Sequence, residues 1–434
     1  MRVAFFTLGC KVNHYETEVM ARAFAQAGDR VVDFDGEADV FVVNTCTVTA
    51  VSDKKSRQAL RAVRRRCPQA TVVAVGCYAQ VAAQALQDMP EVDLVLGNMG
   101  KPALPQAVRA YLARRERPAV GDIGALSGFE PMEAVTSERT RATLKIQDGC
   151  NNFCSYCIIP YARGRIRSKR PEQVLAEVAQ LAQAGHLEIV LTGIEIASYG
   201  AGEDFDLLTL LEGLADIAQR HPDFRVRLGS LEPRIVDARF AQAVGRMPFV
   251  CPHFHLSLQS GCDDTLRRMN RKYDLARYQL SVELLRSHLP DTMLTTDVIV
   301  GFPGETEREF EQTLAAVTAL RFLKVHVFPY SRRAGTPAAA MPDQLPQAEK
   351  ARRAALLQAA CDEVRAERMR EQQGRLHRVL LEQWVEGRHH GYSQHYFPVA
   401  VAGAPADWIG RLVTARITGL EGDRLLGELV QDAP

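Results

Sequence analysis

The chain has 434 residues, 47% of them hydrophobic and 24% charged, with a formal net charge of +1. That length suits two or three domains, each able to bury its own core, and the even charge balance excludes a basic protein coated with nucleic acid, so any polyanion must dock on a local patch. No apolar stretch reaches membrane-spanning length and Met1 to Gly9 lacks the features of a secretory leader, so the expected protein is cytoplasmic, unprocessed and without a membrane partner.

From Met1 to about Gly100 short apolar runs alternate with helical periodicity, the pattern of a parallel sheet covered by helices. Strands are predicted at Val3 to Thr7, Val40 to Val43, Thr71 to Val75 and Val92 to Leu96, with helices at Glu16 to Ala27, Asp53 to Arg66 and Ala79 to Asp88. This gives a small doubly wound α/β domain over residues 1–120. The stretch Gly121 to Arg139, rich in Gly, Ser, Glu and Pro, reads as a linker. A second domain, residues 136–370, repeats strand then helix six times, with strands at Thr143 to Gln147, Glu188 to Thr192, Arg225 to Gly229, His255 to Leu258, Leu294 to Val300 and Lys324 to Phe328. Helices are predicted at Pro171 to Ala184 and Glu305 to Leu320, and a charged helix, Gln347 to Gln372, leads out. Six units suit an open (β/α)6 barrel, whose chemistry belongs at the C-terminal ends of its strands. Residues 373–434 change to strand-like runs at Arg378 to Glu382, Tyr396 to Val401, Arg411 to Thr418 and Leu425 to Val430, a small terminal β-barrel.

Ten cysteines in a long chain of the reducing cytosol point to metal or catalysis rather than a disulfide scaffold. The strongest signal is Cys150-Asn151-Asn152-Phe153-Cys154-Ser155-Tyr156-Cys157, directly after the first barrel strand. Three thiolates on one short loop can hold three irons of a cubane and leave the fourth open to substrate. Structural zinc would need a fourth ligand, and no other Cys or His lies in the loop.

This loop resembles that of the radical S-adenosylmethionine (SAM) superfamily, including the aromatic residue, Tyr156, before the last cysteine. The resemblance implies a 4Fe-4S cluster whose open iron is chelated by SAM, and reductive cleavage of SAM to a 5′-deoxyadenosyl radical. It also implies SAM contacts at Tyr156, at Thr192 and Gly193 after the second strand, at Gln259 after the fourth, and along Val298 to Gly301 and Phe328 to Tyr330. Each of these also reads as an ordinary barrel-end residue.

Cys10, Cys46 and Cys77 are far apart in sequence, yet each follows a predicted strand, in FFTLGC, FVVNTC and VVAVGC. In a doubly wound sheet all strand C-termini open on one edge, so three thiols would meet in one crevice and hold a second cluster, unless they are three buried structural thiols. Asn13 and Asn44 flank that crevice as ligand-orienting or turn residues. Cys67, Cys251, Cys262 and Cys361 lack such company and read as structural.

An α/β domain with these cysteines ahead of a radical SAM barrel is similar to the methylthiotransferases, and TLGCKVN, NTC and GCYAQ match that family's N-terminal domain. The terminal segment resembles its RNA-contacting TRAM domain. TLGCKVN and DGCNNFCSYCIIPYARGRIRS look most like the branch acting on N6-threonylcarbamoyladenosine beside the tRNA anticodon. The resemblance implies two 4Fe-4S clusters and SAM, a tRNA anticodon stem-loop as partner, a low-potential electron donor and a sulfur source, with no DNA. Rival readings are methylthiolation of an aspartate in a ribosomal protein, and a non-catalytic two-cluster electron carrier.

Around the cluster loop Arg141, Lys145, Arg163, Arg165, Arg167, Lys169 and Arg170 outweigh Asp148, a candidate phosphate-binding patch if it is more than a solvated face. In the terminal domain six arginines face seven acids, and its case for RNA rests on Trp384, Tyr392, Tyr396, Phe397 and Trp408, which stack bases or fill a core.

Overall fold

The computed structural model describes residues 1–132 and 140–430. The N-terminal sheet has strands β1 (Arg2–Thr7), β2 (Arg30–Val32), β3 (Val40–Thr45), β4 (Thr71–Gly76) and β5 (Leu94–Val95), all parallel, in the order β2-β1-β3-β4-β5. Every residue of β3 and β4 is buried, which is why VFVVNT and TVVAVG read as near-continuous apolar runs instead of alternating. Alternate side chains serve opposite faces: Phe41 and Val43 pack with Leu60 and Val63, while Val40 and Val42 pack with Met20 and Phe24.

Three details depart from expectation. The first helix, α1 (Lys11–Gln26), starts five residues before the predicted Glu16, so Cys10 is its N-cap residue. The predicted helix Ala79 to Asp88 is two short pieces, Cys77–Val81 and Ala83–Gln87, and Cys77 is the first residue of the former. Strand β2 was not predicted, because three residues of an exposed edge carry no usable periodicity.

The central domain has six parallel strands: Arg141–Lys145, Glu188–Thr192, Arg225–Leu228, His253–Leu256, Met293–Val300 and Lys324–Pro329. They neighbour one another in chain order, the third passing through Gly229 to Ser230–Leu231, which pairs with the fourth. Among the described residues the first and sixth do not pair, so the barrel is open. The predicted linker is not loose over its described part, since Met132 is buried in the central core and its carbonyl accepts from Tyr15 Oη at 3.0 Å. The rest of that linker, and the predicted domain start at 136, lie outside the described residues.

Five C-terminal strands, Leu376–Val385, Arg388–Ser393, Pro398–Ala402, Leu412–Glu421 and Arg424–Leu429, close into a barrel around Val379, Leu381, Phe397, Val399 and Ile417. The second of these was missed because its inward residues are His389, Gly391 and Ser393, none of them a large apolar side chain. This barrel is pinned to the central one by buried arginines. Arg225 donates to the Arg378 and Tyr392 carbonyls at 2.9 and 3.1 Å, Arg227 to those of Gln394 and Ser393 at 3.1 Å, and Glu188 lies between both guanidinium groups.

Candidate active site

The cluster loop leaves the first barrel strand at Gly149, where φ is +74° and an added Cβ would run into the Arg165 carbonyl, so only glycine fits. Its shape is fixed by hydrogen bonds from elsewhere in the barrel: Cys150 N–H to Gly164 O at 3.1 Å, Ser155 N–H to Met269 O at 3.0 Å, and Asn270 Nδ2 to Phe153 O at 2.9 Å. Arg271 Nη1 donates to Cys154 Sγ at 3.2 Å, a cation placed on a thiol that sequence spacing did not reveal. Burial pushes the Cys150 thiol up to about 11 and that of Cys157 up to about 12, with neighbouring Cys154 adding to both. Metal binding must displace those protons, and so supplies part of the loop's stability when it does.

Cys10, Cys46 and Cys77 also converge. Gly9, at φ +105°, packs so closely that an added Cβ would lie 2.8 Å from Cys46 Sγ, and Gly76, at φ +98°, has no room for a Cβ beside Asn44 and Thr45. Asn13 Nδ2 donates to Leu8 O at 2.7 Å and Thr45 O at 3.1 Å, while Asn44 Nδ2 donates to Asn13 O at 2.8 Å, so the two asparagines stitch the cysteine-bearing loops together. Cys77 Sγ accepts from Arg163 Nε at 3.1 Å and Asn98 Nδ2 at 3.6 Å. Cys46 and Cys77 are buried; Cys10 is open to solvent on one side, yet enough protein surrounds it to push its thiol up, against the pull of Arg163. Burial raises Cys46 as well, and Cys77 and Cys10 add to it.

Both thiol sets fit an iron-sulfur cluster better than one metal ion. Two thiolates on a single zinc, each about 2.3 Å away, can be no more than about 4.6 Å apart. In neither set are all three sulfurs within 4.8 Å of one another. Three thiolates are the donor set of a polynuclear iron-sulfur centre that keeps one iron open.

Two cavities adjoin these thiols. One of about 730 Å³ is lined by Cys10 and Lys11 from the N-terminal domain, by Thr192, Gly193, Asp297 and Phe328 from barrel strand ends, and by Tyr392 and Tyr396 from the C-terminal barrel. A smaller one of about 190 Å³ is lined by Tyr156, Cys157, Gln259, Ile299 and Phe328. Gln259 sits in the left-handed region at φ +69°, a conformation held by backbone bonds to both Asp297 and Ile299. Gly301 lines neither cavity: its N–H donates to Glu305 and an added Cβ would meet the Lys350 side chain. Cys251, Cys262 and Cys361 are buried, and Cys67 ends the helix Ala50–Arg66.

The basic run near the loop is corrected by its burial. Lys145, Arg163, Arg167 and Lys169 are buried; only Arg165 and Arg170 are exposed, and Arg170 faces Glu203 at 3.5 Å. Arg141 is half-buried and pairs with Glu382 at 2.6 Å. Arg163 instead enters the N-terminal domain, where its guanidinium binds Asn13 Oδ1 at 2.6 Å and both oxygens of Glu16. Glu16 also receives Lys101 and, at 2.7 Å, Lys145, which pairs with Asp148 at 2.5 Å. Four charged residues of one apparent surface patch are thus internal, and the partners of Arg163, Asn13 and Glu16, lie too far along the chain for spacing to reveal. The terminal aromatics divide as well: Phe397 is core and Trp384 is exposed, while Tyr396 stacks between His253, at 4.6 Å, and Tyr392, at 4.9 Å.

Comparison with known proteins agrees with this arrangement. Residues 144–317 match the Radical SAM superfamily, and residues 2–97 match a family described as uncharacterized, UPF0004. Over 425 residues the chain is 39% identical to the threonylcarbamoyladenosine tRNA methylthiotransferase MtaB of Bacillus subtilis, covering 96% of this chain and 93% of that protein. The chain belongs to the radical SAM methylthiotransferase family. The methylthiotransferase is also 36% identical to MtaB of Thermotoga maritima, covering 97% of this chain and 95% of that one. It is 34% identical to the tRNA-2-methylthio-N(6)-dimethylallyladenosine synthase of Bacillus subtilis, covering 98% and 85%. Its fold is similar to that of the radical SAM methyltransferase TsrM from Kitasatospora setae, with a TM-score of 0.58 and 17% identity over 78% of this chain and 77% of that one. The methylthiotransferase therefore uses SAM and iron-sulfur chemistry, and no helix among its described residues is long and apolar enough to cross a membrane.

Proposed function

We propose that this methylthiotransferase places a methylthio group on C2 of N6-threonylcarbamoyladenosine next to the anticodon of tRNA. In this reading Cys150, Cys154 and Cys157 hold one 4Fe-4S cluster and Cys10, Cys46 and Cys77 a second. The observation that carries it is the 730 Å³ cavity, which brings Cys10 and the candidate SAM-facing residues Thr192, Gly193 and Phe328 to a single space. A purine entering that space meets the radical-generating side and the sulfur-handling side together, and this proximity is what group transfer requires.

A cluster held by Cys150, Cys154 and Cys157 would supply the electron for reductive cleavage of SAM, and with it the radical chemistry needed at C2. The chain's own residues do the positioning. Gly149 and the bonds from Met269 and Asn270 fix the loop; Thr192 and Gly193 close the SAM side, with Gly193 too near the Gln147 side chain to admit a Cβ. Tyr156, Gln259 and Phe328 shape the smaller cavity beside Cys157. The closed C-terminal barrel acts as a TRAM-like contact to the anticodon stem-loop. The enzyme works in the cytoplasm and draws on a low-potential electron donor and a sulfur source.

Metal content gives a first expected result: anaerobically reconstituted protein should hold roughly eight irons, as two cubanes require, and Cys154→Ala should lose about half. A stable protein containing zinc alone would refute the cluster assignment. For the substrate, nucleosides from a strain lacking this gene should lose 2-methylthio-N6-threonylcarbamoyladenosine and keep the 2-methylthio-dimethylallyl product, as read by mass spectrometry. Loss of the dimethylallyl product instead, or a missing modification on a ribosomal protein with tRNA unaffected, would overturn the substrate assignment.

A further inference from the structure

The large cavity carries a cation whose role the reaction chemistry leaves open. Lys11 follows Cys10, lines the cavity beside Tyr396 and is exposed to it. Among the described residues no carboxylate lies within ion-pair distance of its ammonium. Glu188, the acid whose charge it feels, is already held by Arg225 at 2.6 Å and Arg227 at 2.7 Å.

Beside apolar Val12, Leu228 and Leu323, the wall carries a polar group of side chains. His255 contacts Asp297 at 3.3 Å and Thr295 Oγ1 at 3.0 Å, and His253 reaches the same hydroxyl at 3.1 Å. A dimethylallyl substituent offers these polar side chains nothing to bond. A threonylcarbamoyl substituent offers a urea, a hydroxyl and a carboxylate. In adenine N6 is separated from C2 only by N1 and C6, so a base presenting C2 to the Cys10 side carries its N6 substituent within a lysine's reach of that point.

We propose that Lys11 is the specificity residue that pairs with the threonyl carboxylate of the substrate nucleoside inside the barrel cavity. This rests on the threonylcarbamoyladenosine reading above and adds the group that recognises it. Two other anions are available to such a cation, the SAM carboxylate and an RNA phosphate, and the test separates them.

Binding is measured by fluorescence anisotropy on the reconstituted full-length enzyme without SAM. One labelled anticodon stem-loop carries threonylcarbamoyladenosine, and a second carries the same nucleoside with its carboxylate capped as the methylamide. Capping should weaken binding to wild type about tenfold or more, the worth of one hydrogen-bonded charge pair. Lys11→Gln should bind both RNAs alike, and Lys11→Arg should keep the preference. Equal weakening of both RNAs by Lys11→Gln would identify a phosphate contact. A preference that survives Lys11→Gln, or one absent from wild type, would equally overturn the assignment. If wild type shows the preference yet converts neither RNA to product on turnover, the reaction assignment fails while the carboxylate subsite stands.

Discussion

Replacing Cys10, Cys46 and Cys77 together by Ala is expected to leave an enzyme that cleaves SAM to 5′-deoxyadenosine under reducing conditions and makes no methylthiolated tRNA. The two thiol sets sit on separate scaffolds, one on the open edge of the N-terminal sheet and one on the loop after the first barrel strand. Cys46 and Cys77 are small buried side chains, and Arg163 keeps Asn13 and Glu16 as partners once Cys77 is gone, so the triple variant has the means to fold. The barrel loop draws its geometry from Gly149, Met269, Asn270 and Arg271, none of them in the N-terminal domain. The reciprocal replacement of Cys150, Cys154 and Cys157 should abolish both 5′-deoxyadenosine and product, because the residues that would hold the SAM-binding iron are gone. Methylthiolated tRNA formed near the wild-type rate by the N-terminal variant would show those cysteines to be structural thiols only.

The fold was legible wherever burial imposes a period. Strands covered on both faces, such as Val40–Thr45 and Glu188–Thr192, are near-continuous apolar runs. The cysteine sets were legible for a related reason: in Gly9-Cys10, Gly76-Cys77 and Gly149-Cys150 a glycine at positive φ turns the chain so that the next residue reaches the site. What sequence spacing could not supply was pairing between domains. Arg163 lies in a basic run and looks like a phosphate ligand, yet its partners Glu16 and Cys77 are 147 and 86 residues away. Lys11 in the cavity is hidden in the same way, and Arg271 on Cys154 is hidden within the central domain, 117 residues from its partner.

Arg163→Met is expected to destabilise the protein by about 3–5 kcal/mol, the cost of breaking a buried ion pair on one side only. Arg163 ends the short helix Ile159–Arg163, which begins two residues after Cys157, and its guanidinium crosses to Glu16 and Cys77, so one side chain ties the two thiol sets together. Native stabilities are of order 5–15 kcal/mol, which makes this a large fraction of the total. By contrast Arg170→Ala, at an exposed neighbour in the same basic run, should change stability by no more than about 0.5 kcal/mol.

The pH dependence supplies a second signature. Burial by itself would raise the Glu16 carboxyl, but Arg163, Lys101 and Lys145 outweigh it and hold that carboxyl well below its ordinary value of 4.5. A carboxyl depressed in the folded state contributes stability that is present above its unfolded value and is lost as pH falls through the folded one. Wild type should therefore lose stability below about pH 4.5 more steeply than Arg163→Met, where one of the three cations is missing. Denaturant midpoints of the metal-free protein, taken across that window under anaerobic conditions, measure both effects. In the double variant Arg163→Met with Glu16→Gln the loss should be smaller than the sum of the single losses, because the interaction between the two side chains is counted in both single variants and lost only once. Additive losses, or an unchanged acid limb in Arg163→Met, would mean that Arg163 packs between the domains without acting as the counter-charge of Glu16.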